Sequence, residues 1–463
     1  MAKKEREHWS GKFGFIMAAM GSAVGLGTLW KFPYVTGQNG GGAFLLVYLF
    51  CTLFLGIPLL VSELLIGRRS QLAPVGAFST LGRGRSWGFV GWLAVASPLL
   101  ILTYYNVVAG WGLNYVLLSL DNFYQGRSSE QIEGVFATLY GSSGITLFFQ
   151  LLFTVLTAAV VSQGIRKGIE YWARIMMIGL FILLIGLLIY SATLDGFPDA
   201  VRYLFSFRTG GLRPSGILEA LGLAFFTLSL GQGVMITYGS YLKHHDDIPQ
   251  IAGIIGIADV VVSILAGLMI FPIAFTYGGA PEAGVGLVFE TLPVLFAQVP
   301  ASLLLSTTFF VLFVFTALTS SIALLEVGVA TMCDLFGWTR KRSVWLLSVA
   351  VYLFGIPCAL SGSGKLFPQW GQMYQGNYFE TTDFIVSSWL LPVIALCTSI
   401  FVGWRLKRTI LHEEFCLGTG LSFLFRLWYF TVRYVVPAAI ILVLLNSGGV
   451  IDIDSWFGHS GGR

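Results

Sequence analysis

Three sets of residues in this chain of 463 have the types and spacing to hold small solutes. The first is GSAVGLGTLWKFP (21–33), where Gly21, Gly25 and Gly27 precede Pro33. The second is FFTLSLGQG (225–233), with Gly231 and Gly233. Both interrupt long apolar runs. Glycine there weakens helix and leaves backbone exposed, which a membrane tolerates only where that backbone lines a cavity or is buried in protein. Half-helix N–H groups would then meet an anion, and freed carbonyls a cation such as sodium. Close helix packing through small-xxx-small spacing explains either segment alone; matching positions in two halves of the chain favour a transporter site at the membrane midplane. The third set is Lys31, Asp259 and Asp383, charges in apolar surroundings. A charge at such depth costs about 2.5–3.5 kcal/mol on insertion scales and needs a reason. For Asp259 the plain reason is protonation or pairing between helices; the functional one is service to a cation.

Other chemistries find little support. The five histidines, His8, His244, His245, His412 and His459, sit near ends or loops without H-E-x-x-H spacing. The five cysteines have no C-x-x-C spacing and lie in or beside apolar segments, where packing is the simplest role. Gly40-Gly41-Gly42 and the GSGK at 362–365 lack the spacing and following hydroxyl of a phosphate loop. No organic cofactor and no enzyme activity are expected.

The elements that must position these residues follow from composition. Charged residues are 11% of the chain, against about 25% in soluble domains. With 56% apolar residues and a mean hydropathy of +0.80, the expected class is an all-α polytopic membrane protein. Runs of about 20 apolar residues are candidate spans. Eleven are read at roughly 12–36, 41–67, 88–120, 144–163, 170–193, 216–241, 249–276, 301–333, 343–360, 380–404 and 423–446. Connections are short, so residues 1–463 read as a single transporter domain. It divides into five plus five spans, about 12–193 and 216–404, each opening with a broken helix (spans one and six), and about 423–446 is an extra helix. The N-terminal run MAKKEREHWSGK leads into the first span with no small-residue cleavage site, so it reads as membrane helix rather than signal peptide.

Orientation follows lysine and arginine. With the N-terminus cytoplasmic, nineteen of the 27 cations mark inner ends and six mark outer ones (Arg127, Arg202, Arg208, Arg213, Lys365 and Arg463), with Lys31 and Arg433 inside spans. Eleven spans place the C-terminus outside. No N-x-S/T acceptor occurs, which suits a bacterial inner membrane. The basic residues are scattered, so the bilayer and not nucleic acid is the expected partner.

The motifs NGGGAF (39–44), GIPLL-x-x-E (56–63), YYN (104–106), FFTLSLG (225–231), ITYGSY (236–241) and LTSSIA (318–323) resemble the neurotransmitter:sodium symporter family, along nearly the whole chain. The resemblance implies an inverted repeat of the two halves and sodium-driven uptake of an amino acid by alternating access, with two sodium ions. It implies that backbone N–H groups of Leu26 and Gly27, with the Tyr105 hydroxyl, meet the substrate carboxylate. Carbonyls of Ala23, Phe226 and Thr227, with Ser229, would meet the ammonium group. Ile101, Phe226, Ser229, Gln232, Ser320 and Leu324 would line the side-chain pocket. Gly25 stands where monoamine carriers have aspartate, which favours a substrate bringing its own carboxylate. The pocket's apolar character points to a neutral, hydrophobic amino acid, while Gln232 adds an amide able to hydrogen-bond.

The same resemblance implies one sodium site at Ala23, Thr28, Thr227 and Asp259, where Thr28 and Asp259 replace asparagines. A second site would use Gly21, Val24 and Thr316 carbonyls with the Thr319 and Ser320 hydroxyls. Tyr48, Thr227 and Ser263 match the chloride shell of chloride-dependent relatives, but Leu223 replaces its glutamine. A carboxylate at 259 would make chloride unnecessary. Lys31 with Asp383 would gate the outer side beneath which Phe226 and Tyr105 form a lid; Arg6 with Asp334, and Trp9, would gate the inner side. Lysine lacks the bidentate fork of arginine, so a looser outer gate is expected. Span five has Ile178 ten residues after Gly168, where the family often has proline, and Gly179 next. Three other readings share these features: a non-transporting sensor, a channel, which needs a continuous polar path, and proton coupling through Asp259.

Overall fold

The computed structural model describes residues 6–206, 212–278, 284–299, 301–374, 376–451 and 453–456. Lys3, Lys4, Arg208 and Arg463, used above for orientation, lie outside them. Among the described residues every regular element is helical. Nine helices are long and apolar enough to cross a membrane, and Lys12–Ala23 with Gly27–Gln38 forms a tenth span bent by 47°. The eleventh, span six, is Pro214–Thr227 followed after a break by Val234–Gly239. Its interruption, 228–233, is longer than that of span one, 24–26, and its second half is a single short helix, so span six is divided more completely than span one.

The unbroken spans are two (Gly42–Ser70), three (Ser86–Leu120), four (Ser143–Ser162), five (Ile165–Ser191), seven (Ile248–Tyr277), eight (Ser302–Phe336), nine (Arg340–Ser363), ten (378–405) and eleven (Ser422–Ser447). Most ends match the hydropathy reading within a few residues. The largest shift is at span five, which starts at Ile165 rather than 170 because a wide turn, Ile165–Glu170, precedes Tyr171–Ser191. That turn is capped from afar: the Glu7 carboxylate accepts from the N–H groups of Ile165 and Arg166, both at 3.1 Å. Span five then runs unbroken past Ile178, and Gly179 packs against Phe315 of span eight.

Local chemistry sets other ends. Asp247 caps span seven by accepting from the Gln250 N–H at 3.0 Å. Gly278 (φ 77°) and Gly337 (φ 64°) close spans seven and eight in the left-handed conformation that favours glycine. Between spans three and four, Ser128 and Gln131 form a reciprocal cap on the short helix Ser129–Gly141.

Spans three and eight are the most enclosed, and five and eleven the least. The outer surface carries Phe50, Phe54, Ile182, Ile189, Phe354 and Leu427, all well exposed. Such a surface is a liability in water and the expected face toward lipid. Spans one, six and eight meet inside this shell, and the two breaks lie there.

Candidate binding site

In span one the helix stops at Ala23. Val24 leaves the helical region (φ −78°, ψ 73°), and helix resumes at Gly27. In span six Ser229 (φ 55°), Gly231 (φ 72°) and Gly233 (φ 66°) turn the chain between the two halves. Ser229 is the one non-glycine residue among these three. Its hydroxyl lies 3.0 Å from both the Oγ and the carbonyl oxygen of Ser22, tying one break to the other. The freed backbone is otherwise braced by Glu63 of span two, fully buried, whose Oε1 accepts from the Gly231 N–H at 2.8 Å.

Ala23, Leu26, Gly27, Ile101, Tyr105, Phe226, Thr227, Ser229, Gln232, Ser320 and Leu324 all line one cavity between the breaks. Gly25, which stands where monoamine carriers have aspartate, lines it too, as does Ser22, whose inclusion needs the folded chain. The Ser22 carbonyl also accepts from Ser320 Oγ at 3.2 Å. Gly25 faces the cavity because a Cβ there would lie 2.6 Å from Ser320 Oγ. A Cβ on Gly27 would lie 2.7 Å from the Phe226 ring. Both glycines are therefore required by close approach as well as by the break. Tyr105 Oη accepts from the Leu26 N–H at 3.4 Å, a long contact that leaves both groups available to a carboxylate. No side chain lining the cavity is charged.

Asp259, fully buried in span seven, gathers three hydroxyls. Tyr48 Oη donates to Oδ2 at 2.8 Å, Thr227 Oγ1 to Oδ2 at 2.9 Å, and Thr28 Oγ1 to Oδ1 at 3.2 Å. Thr28 Oγ1 also lies 3.4 Å from the Ala23 carbonyl. The four residues of the first expected sodium set are thus in one place. Tyr48 and Thr227, matched above to a chloride shell, direct their hydroxyls at this carboxylate, and Ser263 Oγ lies 3.3 Å from Tyr48 Oη.

The second set is assembled between spans one and eight. Ser320 Oγ lies 3.3 Å from the Gly21 carbonyl, and Thr319 Oγ1 lies 3.0 Å from the Thr316 carbonyl. Gly21 packs against the Thr319 side chain, where a Cβ would approach to 3.0 Å. Val24 follows Ala23 at the break, where its backbone has left the helical region; the Thr316 hydroxyl donates to the Leu312 carbonyl, so only the Thr316 carbonyl is offered. Neutral oxygens of this kind suit a hard monovalent cation that must be released.

Both ion pairs expected to act as gates are formed. Lys31 Nζ lies 2.9 and 3.0 Å from the two Asp383 oxygens and 4.5 Å from the centre of the Phe226 ring. Lysine thus reaches both oxygens despite lacking a fork. At the other end Arg6 Nη1 lies 2.7 and 2.8 Å from Asp334, and Nη2 donates to Ser240 at 2.7 Å. Trp9 is buried, donating to the Tyr238 carbonyl at 3.1 Å.

Beyond Asp259, Glu414 is buried in the short helix Arg408–Cys416, paired with Arg68 and Arg69, and three further buried carboxylates belong to the spans: Glu63, Glu170 and Glu326. Glu326 pairs with Arg340 and accepts from Tyr241 Oη at 2.6 Å, standing behind the inner gate. Glu170 accepts from the Ser10 N–H at 2.9 Å and pairs with Arg174. The signal was present: each is an acidic residue within or beside an apolar run, like Asp259.

Two broken spans meeting at a gated cavity define a secondary transporter of the broken-helix class. Comparison with known proteins identifies which. The model of the Sodium:neurotransmitter symporter family matches residues 6–133 and 135–454. The chain belongs to that family. It is 41% identical to the sodium-dependent transporter YhdH of Bacillus subtilis (strain 168), over 98% of this chain and all of that protein. A sodium-dependent transporter of Haemophilus influenzae is 31% identical over 96% of this chain and 98% of its own length. The crystal structure of MhsT in complex with L-phenylalanine superposes with a TM-score of 0.87, at 40% identity, over 96% of this chain and 100% of that one. The protein is a multi-pass membrane transporter dependent on sodium, and not an enzyme.

Proposed function

We propose that the protein imports a neutral amino acid, with most of its side chain in apolar surroundings, by sodium-coupled symport. The observation that carries this reading is the uncharged cavity between the breaks, flanked by two separate oxygen clusters. Leu26 and Gly27 N–H groups and Tyr105 take the carboxylate; Ala23, Phe226 and Thr227 carbonyls, with Ser229, take the ammonium. One sodium sits at Ala23, Thr28, Thr227 and Asp259, the other at Gly21, Val24, Thr316, Thr319 and Ser320. The repeats 12–193 and 216–404 rock against each other, breaking Lys31–Asp383 to open outward and Arg6–Asp334 to open inward. The setting is a bacterial inner membrane with the N-terminus cytoplasmic and the C-terminus outside.

Asp259 holds the hydroxyls that chloride would need, so transport proceeds without chloride. Substituting Asp259→Asn is expected to abolish uptake or make it chloride-dependent; unchanged, chloride-indifferent uptake would refute this role. The reading as a whole is tested by thermal shift with each of the twenty amino acids in sodium or potassium, followed by uptake in proteoliposomes. Sodium-dependent stabilisation with accumulation is expected, since a ligand stabilises the state it binds. Tight binding without accumulation would instead mark a sensor, and uptake driven by a proton gradient in the absence of sodium would overturn the coupling.

A further inference from the structure

Gln232 lies in the unwound stretch of span six, between Gly231 and Gly233, both at positive φ. It is 3% exposed and borders the cavity with the apolar Leu26, Ile101, Phe226 and Leu324. The hydrogen bond from the Gly231 N–H to Glu63 anchors the chain next to it. Other polar groups of the cavity have partners: Ser229 and Ser320 reach Ser22, and Tyr105 meets Leu26. Among the described residues the Gln232 amide has no hydrogen-bond partner in the protein. A primary amide offers two donors and a carbonyl acceptor; on the cavity wall these face the space a solute would fill, and they become costly only when a solute displaces water without replacing its hydrogen bonds.

Three side-chain classes can be weighed against this wall. A charged side chain would meet no countercharge, because no cavity residue is charged. A purely hydrocarbon side chain would fill the apolar walls and leave the amide orphaned once water is expelled. A neutral side chain with an apolar body and a hydroxyl, amide or indole N–H satisfies both. We propose that Gln232 sets this third class as the preferred substrate, making it the specificity-determining residue of the pocket. The inference rests on the cavity being the amino-acid site, as read above.

The test is competition binding in sodium with near-isosteric pairs: tyrosine against phenylalanine, threonine against valine, glutamine against methionine. The hydrogen-bonding member of at least one pair is expected to bind about 10- to 100-fold tighter. In Gln232→Met, close in volume, that ratio should fall to about one or invert, whatever the change in absolute affinity. Preference for the apolar member in all three pairs, or an unchanged ratio in the variant, overturns the proposal. Should the variant fail to fold, the wild-type ratios decide alone. A protein that binds none of the six in sodium refutes the amino-acid reading itself, a result distinct from binding with the opposite preference.

Discussion

The two ion pairs proposed as gates, Lys31–Asp383 and Arg6–Asp334, are held by different amounts of structure. Outside, one ammonium bridges one carboxylate, Asp383 keeps 27% of its side chain exposed, and Ser387 adds a single hydroxyl at 3.1 Å. Inside, the Arg6 fork takes both Asp334 oxygens and Ser240, and the Ala73 N–H donates to the same carboxylate at 2.8 Å. The guanidinium also lies 4.7 Å from the Tyr241 ring, behind which Tyr241, Glu326 and Arg340 form a further bonded group. Trp9 seals the segment, and Glu7 of that segment caps span five. Opening outward therefore breaks one contact and moves a ring. Opening inward must undock a segment whose contacts reach spans five, six and eight. On the proposed import cycle the heavier latch keeps the inner side shut until substrate is bound, because a loose one would let ions through without substrate.

Removing the heavier latch should have the larger effect. Arg6→Ala is expected to shift the protein toward the inward-open form by about 2 kcal/mol, roughly 30-fold in population. In a variant retaining only Cys333, next to Asp334, the maleimide labelling rate should rise accordingly; no change would show that Trp9 alone holds the gate. Asp383→Asn removes charge from the lighter latch. A loss of about 1 kcal/mol, roughly fivefold in apparent affinity, is expected with Cys333 labelling unchanged. An effect equal to that of Arg6→Ala would erase the comparison. The mildest is Lys31→Arg, expected to change transport by less than threefold and to slow exchange, since a fork grips both oxygens more firmly.

Much of this was legible in the chain, for unequal reasons. The breaks showed because glycine clusters are conspicuous against leucine-rich runs, and Asp259, Lys31 and Asp383 because charge is rare there. The grouping of Thr28 with Asp259, or of Gly21 with Ser320, rested on motifs resembling a known family, since nothing local links residues hundreds of positions apart. Ser22 was missed as a lining residue because it lies within the helix just before the break; its place comes from the turn at Ser229, a non-glycine at positive φ that no propensity would pick. Glu63 ends the motif GIPLL-x-x-E, but its role as a brace appears only when span two lies beside the Gly231 N–H.

By itself the sequence determined the solvent this protein lives in, its spans and where two of them fail, because hydropathy and glycine act locally and need no partner. The tertiary structure decided which oxygens face one another, that Lys31 and Arg6 each reach both oxygens of their carboxylate, and that among the described residues the Gln232 amide is left without a partner. Those depend on distances between segments that the chain brings together only by packing, where a shift of about 1 Å separates a hydrogen bond from none.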